Sequence, residues 1–136
     1  YSAFALGEIG IESDEIEKSL VHLSQDSDVF VRISATESLG LNTSGKLSVD
    51  ALCQILTEDL DDETRSHAAL ALWRRGPNTD SAISSLAAAL NDGDRYVQGY
   101  ALEALEQIGT PEAMNVLLPS LKTSRWCSIT HPQSMF

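Results

Sequence analysis

Positive charge is what this chain has least of. Nine lysines and arginines stand against 20 aspartates and glutamates, giving a net charge of −11. Affinity for nucleic acid comes mostly from Lys and Arg neutralising phosphates, so a nucleic-acid partner is not expected. An anionic membrane surface is set aside for the same reason. No apolar run approaches the ~18 residues of a membrane span, and no basic-then-apolar leader opens the chain. Cysteine is scarce: Cys53 and Cys127 are too few for a disulfide framework. They are compatible with a reducing compartment, and the cytoplasm is favoured.

Chemistry-bearing groups are equally thin. The three histidines, His22, His67 and His131, are followed by Leu23, Ala68 and Pro132. None belongs to a His-Glu-x-x-His arrangement, and no metal site is expected. The Asp-x-Asp turns lack the loop length and distal Glu of an EF-hand. No glycine-rich phosphate loop and no Ser-His-Asp arrangement stands out. No cofactor is therefore implied, and catalysis within this stretch is not expected. The dense acidic run Glu58-Asp59-Leu60-Asp61-Asp62-Glu63 reads as part of a solvated surface.

What the chain does have is a period. Tyr100-Ala101-Leu105-Gly109 lines up with His67-Ala68-Leu72-Gly76, with Ser34-Ala35-Leu39-Thr43 and with Tyr1-Ser2-Leu6-Gly10, each offset by 33 residues. Self-similarity in this range marks a stacked array of helix pairs. No stretch alternates with period two for long enough to make a sheet. Tyr1 falls in the middle of a repeat, so a fragment of a longer chain is expected.

The helices can be read in order. Asp14-x-x-Glu17 has the form of a capping box, followed by Ile16, Leu20 and Leu23 at helical spacing. Asp28 is placed to cap a helix whose inward face is Val31, Ala35, Ser38 and Leu39. Val49, Leu52, Cys53 and Leu56, then Thr64, Ala68, Ala71 and Leu72, repeat the grammar and end at Gly76-Pro77. Ile83, Leu86, Ala89 and Leu90 precede Val97, Ala101, Ala104 and Leu105. A last helix opens at Thr110-Pro111, where Thr suits the cap and Pro the first helical position. Its stripe is Met114, Leu117, Leu118 and Leu121, and Pro119 should kink it or end it early. The expected units are 1–10, 13–43, 46–76 and 79–109, with a final helix 110–122 and a non-repeat tail 123–136. The tail carries Trp126, Ile129, Met135 and Phe136. It is read as a cap on the last apolar face, or as a docking segment.

The turns carry a motif. Asp26-x-Asp28…Val31-Arg32…Ala35…Leu39-Gly40 recurs as Asp59-x-Asp61…Thr64-Arg65…Ala68…Leu72 and as Asp92-x-Asp94…Val97-Gln98…Ala101…Leu105. This resembles the HEAT-like repeats of the phycobilisome-lyase type, over residues 1 to about 122. The resemblance implies an all-α fold, an α-solenoid of about four stacked helix pairs with the first truncated. It also implies a structural ladder in which Asp26, Asp59 and Asp92 and the arginines Arg32 and Arg65 link neighbouring repeats. Gln98 should cost that ladder its charge pairing at one rung.

Functional expectations follow from helix faces. Taking Val31 as zero and advancing ~100° per residue, the face opposite the core carries Ile33, Glu37 and Gly40. One unit on, it carries Ser66, Leu70 and Trp73, and then Gly99, Glu103 and Glu106. Leu102 lies at the border, and Phe4 is the front-end equivalent of Leu70. The second helices of such arrays are taken to line the concave surface. Phe4, Ile33, Leu70, Trp73 and Leu102 would form an apolar strip there, with Arg74 and Arg75 as a positive spot beside it. Such a strip suits another protein or a peptide. The primary expectation is a protein–protein interaction scaffold. The alternatives are a subunit of a bilin lyase or isomerase, which the resemblance implies and which would bring a bilin to the strip, and a structural appendage of an enzyme.

Overall fold

The computed structural model describes residues 14–42, 45–76 and 80–123. They form α1 (Asp14–Leu23), α2 (Val29–Asn42), α3 (Lys46–Glu58), α4 (Asp62–Arg75), α5 (Ile83–Ala89), α6 (Arg95–Ile108) and α7 (Pro111–Thr123). A turn of 3-10 helix, Asp80–Ala82, leads into α5. There is no strand among the described residues. The expected front helix 1–10 with Phe4, and the tail beyond Thr123, lie outside them.

The second helix of each pair starts where an aspartate can serve its free N–H groups. Asp28 accepts from the Phe30 N–H at 2.8 Å. Asp61 accepts from the Thr64 N–H at 2.8 Å and from its hydroxyl at 2.7 Å. Asp94 accepts from Tyr96 and Val97 at 2.8 and 3.2 Å. α6 ends at Gly109, whose φ of 65° suits glycine. Thr110 caps α7 through the Ala113 N–H.

The helices form two rows. α1, α3, α5 and α7 make one, and α2, α4 and α6 the other, each helix packing on its pair-mate and on its row neighbours. The second row is the more closely packed. Its spine is small residues in register: Ala35, Ala68 and Ala101, 33 residues apart, have no exposed surface. Leu39, Leu72 and Leu105 follow four residues on and are also fully buried. Each fully buried leucine is worth about 1.5–3 kcal/mol of transfer free energy. The interior is one continuous cluster running from Leu20 to Leu117. The result is an all-α solenoid of helix pairs.

Four readings need correcting. Gly40, placed on the face away from the core, is buried. A Cβ there would lie 2.8 Å from Ala71 Cα and closer still to its Cβ. It is where α2 and α4 touch. Glu17 does not act as the far half of a capping box. It is buried and accepts a short hydrogen bond from the Ser48 hydroxyl of α3. Asp14 is itself the first helical residue. α7 runs through Pro119 to Thr123. Pro119 and Asn115, the residue whose carbonyl it cannot serve, are both exposed, so water can take that carbonyl. Among the described side chains of α7 the buried ones are Ala113 and Leu117, with Val116 packed beside them, while Met114 and Leu118 are exposed; the Leu121 side chain lies outside them.

Candidate functional site

One edge of the solenoid is made by the turns between the helices of each pair, and a ladder of arginine and aspartate runs along it. Arg32 donates through Nε and Nη2 to the two carboxylate oxygens of Asp59, at 2.9 and 3.3 Å. Its Nη1 donates to the Asp26 carbonyl of its own turn at 3.0 Å. Arg65 repeats this one unit on, reaching the Asp92 carboxylate at 2.8 and 3.1 Å and the Asp59 carbonyl at 2.9 Å. Each guanidinium thus ties its own turn to the carboxylate of the next, 27 residues away. The planar fork of arginine is what permits both. Gln98 makes the local bond, donating to the Asp92 carbonyl, and the residue one unit on from Asp92 is Arg125 rather than an aspartate.

The same Asx turn recurs under all three aspartates. Asp26, Asp59 and Asp92 each accept from the N–H two residues on, at 2.8, 2.9 and 2.9 Å. Partial burial opposes ionisation of Asp92. The Arg65 hydrogen bond, the Asp94 N–H and the Arg65 charge outweigh it and hold the carboxyl below its ordinary range. Asp61 is also lowered, by the hydrogen bonds from the Thr64 hydroxyl and N–H.

The proposed strip lies on the second row. Ile33 on α2, Leu70 and Trp73 on α4, and Leu102 on α6 are all half-buried. Trp73 and Leu102 pack against the hydrophobic core, so each has a buried as well as an open side. Arg74 is exposed. Arg75 does not join it in a positive spot. It turns back across the array and donates to the Leu39 and Gly45 carbonyls at 3.2 and 3.3 Å, serving the end of α2 and the following linker. Cationic groups at helix C-termini gain from the dipole as well.

Beside the strip His67 of α4 and Glu37 of α2 come together. His67 Nδ1 lies 3.2 Å from Glu37 Oε1, yet no hydrogen bond forms between them. The signal for this pair was available, since His67 sits one 33-residue step from Ser34, a helical turn from Glu37. Cys53 is half-buried on α3, and burial pushes its thiol up, with a hydrogen bond from Ser85 offsetting part of that. Among the described residues no group of three His, Cys, Asp or Glu side chains is placed to hold a metal ion. None of the described helices is long and apolar enough to cross a membrane.

Two rows of stacked helix pairs joined by a turn-edge ladder define an α-helical repeat protein. A family model for HEAT repeats matches the chain over residues 1–73 and again over 49–127, and the chain belongs to the HEAT-repeat family. No curated protein matches it.

Proposed function

We propose that this chain is a protein-interaction module whose second helices present a binding face to another protein or peptide. Stacked helix pairs create extended curved surfaces, and the second row is read as the concave side. The observation that carries the reading is the state of Ile33, Leu70, Trp73 and Leu102. All four are half-buried, on a row whose Ala35, Leu39, Ala68, Leu72, Ala101 and Leu105 are closed to solvent. Apolar surface left open beside an exposed arginine has the composition of interface hot spots. The net charge of −11 argues against a nucleic-acid partner. The Arg–Asp ladder enters as structure: it sets the register in which the units stack, which is how such pairs act more surely than by adding stability.

The test is a photo-cross-linking amino acid placed at Arg74, compared with one at exposed Ser84 on the first row. The expected outcome is a discrete adduct from position 74 that vanishes in Leu70→Ala/Trp73→Ala protein of unchanged helicity. Adducts that form equally from both positions, or that survive the double substitution, sink the reading. The bilin-lyase alternative draws on resemblance of the repeat alone. Incubation with a bilin separates the two, because a red-shifted absorption band followed by transfer to an apo-protein would favour the lyase.

A further inference from the structure

A second surface stands apart from the strip. The ladder brings the three inter-helix turns side by side, because each guanidinium bonds to two of them. On that edge large apolar side chains point into water. Leu60 is 97% exposed, Phe30 78% and Tyr96 63%. They are not scattered: Phe30 and Tyr96 hold the same register two units apart, and Leu60 sits in the turn between. Single exposed apolar residues need no explanation, but three along one edge of a small domain do.

The charge of this edge is one-sided. Segments 26–32, 58–65 and 92–98 contain nine carboxylates and three arginines, and no lysine. Asp59 and Asp92 are matched by Arg32 and Arg65. Glu58, Asp62 and Glu63 are exposed and make no ion pair with a described residue. A groove of about 350 Å3 opens beside the first rung, lined by Asp26, Glu58 and the Arg32–Asp59 pair. Leu60 follows directly on Asp59. The edge also shows what cation it accepts. Its carboxylates take guanidinium forks, and the Tyr96 ring already has the Arg95 guanidinium 5.9 Å from its centroid.

We propose that this turn edge docks an extended, arginine-rich segment of a partner protein that also carries apolar side chains. Arginines enter the groove at Asp26 and Glu58 and stack on the exposed aromatic rings. The interleaved apolar side chains cover Leu60, Phe30 and Tyr96. Excess negative charge on the edge selects the basic partner and speeds encounter. This surface is independent of the second-helix face.

The probe is a fluorescein-labelled twelve-residue peptide alternating leucine and arginine, followed by fluorescence anisotropy. Three variants locate its binding. Phe30→Ser/Leu60→Ser/Tyr96→Ser removes the apolar contacts, and Glu58→Gln/Asp62→Asn/Glu63→Gln removes edge charge. Glu103→Gln/Glu106→Gln/Glu112→Gln removes equal charge from exposed positions elsewhere. All positions changed are solvent-facing, and circular dichroism checks that each variant is folded. The two edge variants should each weaken binding ~10-fold or more, and the remote variant less than ~3-fold. Leu70→Ala/Trp73→Ala should leave peptide affinity unchanged. Equal loss from both charge variants would make the binding non-specific attraction, and no loss from the apolar variant would remove the docking role. Loss from Leu70→Ala/Trp73→Ala would move the peptide to the second helices. Each of these results overturns the proposal, and the last would leave the second-helix reading standing.

Discussion

The units of α2 and α4 are joined in two places, and the two joints work differently. At the seam inside the second row, Gly40 lies against Ala71 with no room for a side chain. At the turn edge, Arg32 holds the Asp59 carboxylate through two hydrogen bonds. The seam is apolar and depends on shape, so it tolerates almost no change in volume. The ladder is polar and largely buried, so its Coulombic gain is offset by desolvation. The difference teaches that the close approach of the helices is set by shape, while the ladder ties each turn to the next by hydrogen bonds. Gln98 shows the local half by itself: its amide bonds to its own turn, and the residue one unit on from Asp92 is Arg125, which offers no carboxylate.

The seam should break most easily. Gly40→Val forces α2 and α4 apart and should cost about 2–3 kcal/mol, read as a lower midpoint in thermal or urea unfolding. A midpoint unchanged from the native protein would mean the seam has slack. Copying the Gln98 rung one unit back is the next largest change. Arg65→Gln keeps a donor for the Asp59 carbonyl but strands the Asp92 carboxylate, and should cost about 1–2 kcal/mol in the same measurement.

Titration sharpens the ladder side of the comparison. The folded pKa of Asp92 is depressed, so its stabilising share is present above its unfolded pKa of about 3.9. That share is lost as pH falls through the lower folded value. Unfolding midpoints of the native protein should therefore drop as pH goes below about 4, and Asp92→Asn should flatten that drop. An identical acid profile in the variant would show that the pair contributes nothing to stability.

Gly99 tests the reverse of Gly40. It lies within α6, where a Cβ would meet nothing within 4 Å. Gly99→Ala should therefore stabilise the protein by about 0.5–1 kcal/mol, through helix propensity and a stiffer unfolded chain. The smallest effect belongs to Gln98→Arg, which should stay within about 0.5 kcal/mol of the native protein by chemical denaturation.

The repeat could be read from the sequence because its copies fall at a fixed offset and its inward positions follow helical spacing. Ala35, Ala68 and Ala101 are the plainest case. The faces were harder to read. A second helix in a stack is covered on three sides, by its pair-mate and by both row neighbours, so a position opposite the pair-mate is not automatically open. Gly40 stands there and is buried. Trp73 holds the same register one unit on and is half-buried against the core. Long-range polar partners were equally hidden. The Glu17 partner is Ser48, 31 residues away, and Arg75 bonds to backbone carbonyls that no side-chain pattern reveals. The arginine rungs were legible only because their motif repeats. Arg75 has no such copy: Asn42 and Ile108 stand at its register.

Trp73 is the residue on which the proposed interaction face depends. With Trp126→Phe removing the other tryptophan, acrylamide quenching of the remaining fluorescence reports its exposure alone. A ring packed on the core yet open on one side should be quenched to an intermediate degree, and less so when a partner is bound. A ring that acrylamide cannot reach in the free protein would mean that the second helices offer no tryptophan to a partner.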